Sequence, residues 1–183
     1  MNHIFHESEL TFYFNRDWKV LRYDEHKYYR IVSGRSVSGV DFACITPDET
    51  LLLIEVKNFY QYNRSGLIDD TNRFAEEIKE KIVDTLDLIT IIHKYHRRKW
   101  TFRIMIDLVR RFPKLHYDWW FWSKMYDLHL QPEKLLFLLV LESETEVSSL
   151  QKQITELIMS EGVEVPPFHI LPASEIQAYG INI

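Results

Sequence analysis

The 183-residue sequence predicts an α/β protein, a mixed central sheet flanked by helices and built as one domain. Three observations carry this. Two apolar runs, 39–45 and 51–58, flank the turn formers Pro47 and Asp48 and read as a β-hairpin. The uninterrupted run 135–141 has the character of a strand covered on both faces. Two amphipathic stretches, about 69–96 and 144–160, carry apolar residues at helical spacing.

In order along the chain, residues 1–10 show no periodicity; Glu7 and Glu9 fit at most a short first helix. Stretches 11–14, 18–23 and 28–32 are rich in aromatic and β-branched residues and predict strands, with a turn at Asp24, Glu25 and His26. A loop at 33–39 follows, its glycines permitting unusual backbone angles. It precedes Asp41 directly, so Arg35 is placed either to meet a phosphate or simply at the surface.

After the hairpin, Asp69, Asp70 or Thr71 caps a long helix whose stripe is Phe74, Ile78, Ile82, Leu86, Ile89 and His93. The helix ends in Arg97, Arg98 and Lys99, near Trp100 and Phe102. That mixture suits phosphate contact and base stacking, and is equally what the helix dipole favours at a C-terminus. His93 and His96 stand three apart but have no acid or cysteine at a matching spacing, which disfavours a metal site. Segment 103–134 reads as a Trp-rich helical insertion. Trp119, Trp120 and Trp122 mark a buried layer, a homodimer contact or a stacking surface. Strand 168–171 and a final turn near 174–179 come after the second amphipathic stretch.

Composition bounds the function classes. Hydrophobic residues at 46% and charged residues at 27% are ordinary for a globular chain. A net charge of −5 argues against a general nucleic-acid coat but permits a local basic surface. The longest apolar run is too short to span a bilayer, so no membrane association is expected. The N-terminal residues do not read as a signal peptide, and the single cysteine, Cys44, falls in a predicted strand. Both suit a cytoplasmic protein.

The chemistry concentrates in the hairpin. A turn centred on Asp48 pairs Asp41 with Glu55, and strand alternation puts Lys57 on the same face. Two acids facing each other are unfavourable unless a metal ion or a lysine lies between them. Otherwise these charges are only the polar ends of a hairpin. Asp41, a turn, and Glu55-Val56-Lys57 closing an apolar strand resemble the PD-(D/E)XK nuclease superfamily, although Val40 stands where many members have proline. The resemblance implies a restriction-endonuclease-like fold and Mg²⁺, with Mn²⁺ as substitute, held by Asp41, Glu55 and the Val56 carbonyl. It makes Lys57 the residue that orients the attacking water, and DNA the substrate. It also implies that Lys79 and Lys81 on the following helix touch substrate, unless they are simply a solvated helix face with partners such as Glu77. The alternative is a catalytically inactive domain of that fold, serving as a DNA-binding, interaction or assembly module.

Overall fold

Residues 3–32, 37–58, 71–142, 151–152, 154–156 and 166–183 are described by the computed structural model; Arg35 lies outside them. Strands β1 (His3–Glu7), β2 (Leu10–Phe14) and β3 (Lys19–Arg22) precede a short helix, α1 (Lys27–Val32). The hairpin β4 (Phe42–Ile45) and β5 (Leu51–Asn58) follows. Helices α2 (Thr71–Arg97), α3 (Trp100–Arg111) and α4 (Tyr117–His129) then lead to β6 (Leu135–Glu142). Last come β7 (Phe168–Pro172), a 3-10 segment (Ala173–Tyr179) and β8 (Ile181–Asn182).

The central sheet has the order β3-β4-β5-β6-β7, antiparallel at β3/β4 and β4/β5, parallel at β5/β6 and β6/β7. It is therefore mixed, as expected. The parallel β5/β6 pair needs a long crossover, and α2, α3 and α4 supply it. Alternation divides the sheet into two faces. Ala43, Ile45, Leu51, Leu53, Phe137 and Leu139 pack with Phe74, Ile78, Ile82, Ile89 and Trp122 from the helices. Phe42, Cys44, Leu52, Ile54, Leu138 and Val140 pack on the other side with Phe12, Phe14, Ile176 and Ile181.

This second face corrects one expectation. Among the described residues it is covered by a three-stranded antiparallel sheet, β1-β2-β8, and the 3-10 segment rather than by helices. Aromatic rings make that layer: Phe14 and Phe42 lie 5.5 Å apart in a tilted pair, and Phe5 meets Phe42 edge-on at 5.6 Å. Glu7 thus closes a strand, not a helix, and Ser8 and Glu9 make the β1–β2 turn with φ of 49° and 63°.

The stretch 28–32 is also helical rather than extended. Arg30 N–H donates to the His26 carbonyl at 3.1 Å, and the Tyr28 N–H reaches His26 Nδ1 at 3.3 Å. Tyr28 is buried against Trp122 and His96 while Ile31 is 63% exposed, so one-sided packing overrides strand propensity.

The Trp-rich segment is helical but integral to the core. Phe121, Trp122, Met125 and Leu128 of α4 are buried against the sheet and α2. Trp122 is fully enclosed and its indole N–H donates to His26 Nδ1 at 3.2 Å. A homodimer contact through 119–122 would have to use the half-buried Trp119 and Trp120 alone. Of the second amphipathic stretch, the described residues 151–152 and 154–156 are helical, and Ile154 is buried on the helix side of the sheet. Among the described residues no helix is long and apolar enough to cross a membrane.

Candidate active site

The turn between β4 and β5 sets the geometry of the site. Asp48 takes the Thr46 hydroxyl at 2.6 Å and the Thr50 hydroxyl at 3.1 Å, Thr46 N–H donates to the Thr50 carbonyl at 3.0 Å, and Glu49 adopts φ 62°. With this turn, Phe42 pairs with Ile54 and Ala43 with Leu53. One step beyond the ladder stands Asp41, near enough to Glu55 to feel its charge. The Asp41 N–H donates to the Ile54 carbonyl at 3.1 Å.

Segment 38–41 is pinned from three sides. Ser38 N–H donates to Asp84 at 2.9 Å and Val40 N–H to the Thr85 hydroxyl at 3.2 Å, both on α2; Tyr23 N–H donates to the Asp41 carbonyl at 2.9 Å. Gly39 is needed here for closeness, not for an unusual φ: a Cβ on it would meet Tyr29 at 2.7 Å and Tyr23 at 3.0 Å.

Asp41 Oδ2 accepts the Val56 N–H at 2.7 Å. By strand alternation the Val56 carbonyl points to the same edge, past the start of β4. Glu55 is only 1% exposed and faces the helices. Lys81 of α2, flanking the apolar stripe beside Ile82, forms an ion pair with Glu55 Oε1. Lys57 approaches the same oxygen at 3.2 Å. The other oxygen, Oε2, is buried without a partner among the described residues. So the face holds Asp41 and Glu55 against Lys57 and Lys81, with one carboxylate oxygen left over.

Electrostatics follow from this crowding. Burial, then the Glu55 carboxylate, push the Asp41 carboxyl up to about 8, against the opposing pull of Lys81 and the Val56 N–H. Burial works against the Lys81 ammonium, but Glu55, Asp41 and Asp24 outweigh it and hold its pKa above the ordinary value. Two acids that sequence reasoning did not connect with the site contribute to its field. Glu7 of β1 raises Asp41, and Asp24, itself raised first by burial and then by Glu7 and Glu25, acts on Lys81. Arg22 binds Glu7 at 2.7 Å and Glu25 at 3.2 Å. Arg22 Nε and Asp24 Oδ1, like Glu55 Oε2, are buried without a partner among the described residues.

The expected substrate-contacting residues do not all gather here. Lys81 does, though its ammonium is committed to Glu55. Lys79 pairs with Glu76 at 2.8 Å on its own helix. Arg97, at the end of α2, lies roughly 24 Å further along it than Lys81, at 1.5 Å per residue, and Arg98 and Lys99 follow it. Lys99 sits over the Tyr95 ring at 4.6 Å, and Arg97 and Arg98 are exposed. His93 and His96 belong to an aromatic cluster: His93 stacks on Tyr126 at 3.8 Å, and burial, then Lys99, drive His96 down to about 4.

The donor set fits a hard divalent cation in one respect and resists it in another. Two carboxylates with a buried spare oxygen suit Mg²⁺, which keeps several waters and asks few protein ligands. The Lys81 ammonium already stands on Glu55, so a cation must displace it or share that oxygen. Among the described residues no group of three or more His, Cys, Asp or Glu side chains is arranged to hold a metal. Comparison with family models, with curated proteins and with solved structures finds no match to this chain.

Proposed function

We propose that this protein is a magnesium-dependent phosphodiesterase acting on DNA, with the restriction-endonuclease-like arrangement that its hairpin resembles. The observation that carries the reading is the closeness of the Asp41 and Glu55 carboxyls, with Lys57 and Lys81 both on one Glu55 oxygen and the other buried and unpartnered among the described residues. Asp41, Glu55 and the Val56 carbonyl are the residues that would hold the ion. Bound there, it would polarise a phosphate and lower the pKa of a coordinated water. Lys57, 31% exposed at the open end of β5, orients that water or steadies developing negative charge. Asp41, rigidly placed by its bond from the Val56 N–H, must give up its proton before it ligates. A free, buried Cys44 suits a reducing, cytoplasmic setting.

The test is DNA cleavage by purified protein with Mg²⁺ or Mn²⁺. Lys57→Ala should lower the rate at least about a hundredfold, in the range usual for a lost general acid–base group, with the fold unchanged. Cleavage that survives in this variant would assign the activity to a contaminant. A second reading rests on a specific contact. The Lys81–Glu55 pair neutralises the buried acid without any metal, as a structural site would. If neither ion supports cleavage of any DNA or RNA, the inactive interaction-module reading stands.

A further inference from the structure

Away from the carboxylates, the end of α2 meets α3 and α4 around a pocket of about 420 Å³. That is within the range of small-ligand sites, roughly 300–1,000 Å³. It lies about 18 Å along α2 from Lys81, at 1.5 Å per residue, and is independent of the chemistry proposed for Asp41 and Glu55. Its walls differ in character. Phe102, Tyr126 and His93 form an aromatic side, His93 stacked on Tyr126 with planes 6° apart and Phe102 edge-on to His93.

The other side carries three guanidinium groups, Arg97, Arg103 and Arg110. Arg110 donates from one nitrogen, Nη2, to both Asp127 oxygens at 2.9 and 2.8 Å. Arg97 and Arg103 have no acidic partner among the described residues, so two positive charges remain uncompensated. Helix C-termini carry only about half a negative charge, too little to cancel them.

A further observation points to a ligand. His93 is 7% exposed, yet its Nδ1 is buried without a hydrogen-bond partner among the described residues. Buried polar atoms are normally paired. Burial, aided by Arg97 and Arg110 against the pull of Asp127, lowers the His93 pKa and so favours its uncharged ring.

We infer that this pocket binds a phosphate monoester carried on a planar ring, a ligand of the nucleoside 5′-monophosphate class. A monoester dianion matches the two free guanidinium charges, and Arg offers the bidentate geometry that phosphate oxygens take. On the aromatic side the half-buried Tyr126 ring, backed by His93, is the surface that receives the base.

Titration calorimetry on the intact chain tests this with AMP, GMP, CMP and UMP. The probes for comparison are adenosine, ribose 5-phosphate, inorganic phosphate and a 5′-phosphorylated DNA oligonucleotide. At least one monophosphate should bind, with ribose 5-phosphate and the parent nucleoside each weaker by tenfold or more. Arg97 and Arg103 are exposed, so Arg97→Gln and Arg103→Gln leave the core intact. Each should weaken binding about tenfold, and the double variant should remove it. The proposal is overturned if no monophosphate binds, or if the nucleoside binds as well as its phosphate. Affinity that survives the double variant overturns it too, as does binding of the oligonucleotide in preference to every mononucleotide.

Discussion

At the residue scale the molecule turns on Asp41. Its carboxyl ordinarily titrates near 3.8 and here is held up to about 8 by burial and by Glu55. Between those values the folded protein keeps a proton that the unfolded chain has released. Stability from this residue is therefore complete below about pH 4 and is lost as pH rises towards 8. Asp41→Asn removes the dependence. Without metal, the variant should gain on the wild type steadily from pH 5 to 8, reaching about 1–3 kcal/mol. That is a fraction of the full shift, because Asp41 is only partly buried. Melting curves across pH check this, and a wild type that grows relatively more stable as pH rises would exclude the raised carboxyl. Mg²⁺ should raise the wild-type melting temperature more at pH 8 than at pH 6, and leave Asp41→Asn nearly unmoved.

Lys81 offers a second prediction of the same scale. It neutralises a Glu55 that is 1% exposed. Lys81→Met leaves only Lys57 on that oxygen, so the metal-free protein should lose about 2–4 kcal/mol, somewhat under the roughly 3–5 kcal/mol for breaking a buried pair outright because Lys57 remains. If a divalent cation takes this place, millimolar Mg²⁺ should restore stability to Lys81→Met more than it adds to the wild type. Urea denaturation with and without Mg²⁺ measures both effects. Equal responses would mean that the cation does not reach Glu55.

At the scale of elements, the close approach of Gly39 to Tyr23 and Tyr29 holds the strand that carries Asp41 against α2. Gly39→Ala should cost about 1–3 kcal/mol by overpacking, and should weaken Mg²⁺ binding because the two contacts from Ser38 and Val40 to α2 shift with it. A variant with wild-type stability would show that the tyrosines yield freely. In α4, Trp122→Ala should cost about 3–5 kcal/mol, as large aromatic truncations do, since the ring is fully buried and its N–H is bonded to His26. Trp120→Ala, at a half-buried site, should cost much less. The contrast separates the core role of this helix from any dimer contact through Trp119 and Trp120.

At the scale of the whole molecule, the two charged regions lie at different places along one helix. The acids and lysines meet at the middle of α2, and the arginines gather at its end. A long DNA substrate running from one to the other would feel both. Arg98→Ser with Lys99→Ser should then weaken DNA binding and lower its salt dependence, with fewer counterions released, while leaving the Mg²⁺ response at Asp41 and Glu55 unchanged. Binding measured from low to moderate salt decides it. An unaltered slope would place these two residues off the DNA path.

How much of this was legible in the sequence depends on the range of the interactions. The hairpin, its register from Phe42 to Ile54 and the shared face of Glu55 and Lys57 follow from a local turn and a period of two. The long helix and the buried strand β6 follow from their apolar patterns in the same way. Tertiary packing alone decided the rest. Residues 28–32 became helical because Tyr28 had Trp122 and His96 to pack against, far along the chain. The second face of the sheet was closed by β1, β2 and β8, whose pairing joins opposite ends of the sequence. Lys81 was readable as a charge flanking an apolar stripe, but its partner Glu55 stands 26 residues away. Glu7 and Asp24 carried no local signal at all. Periodicity records which face of an element is covered; only the three-dimensional arrangement records what covers it.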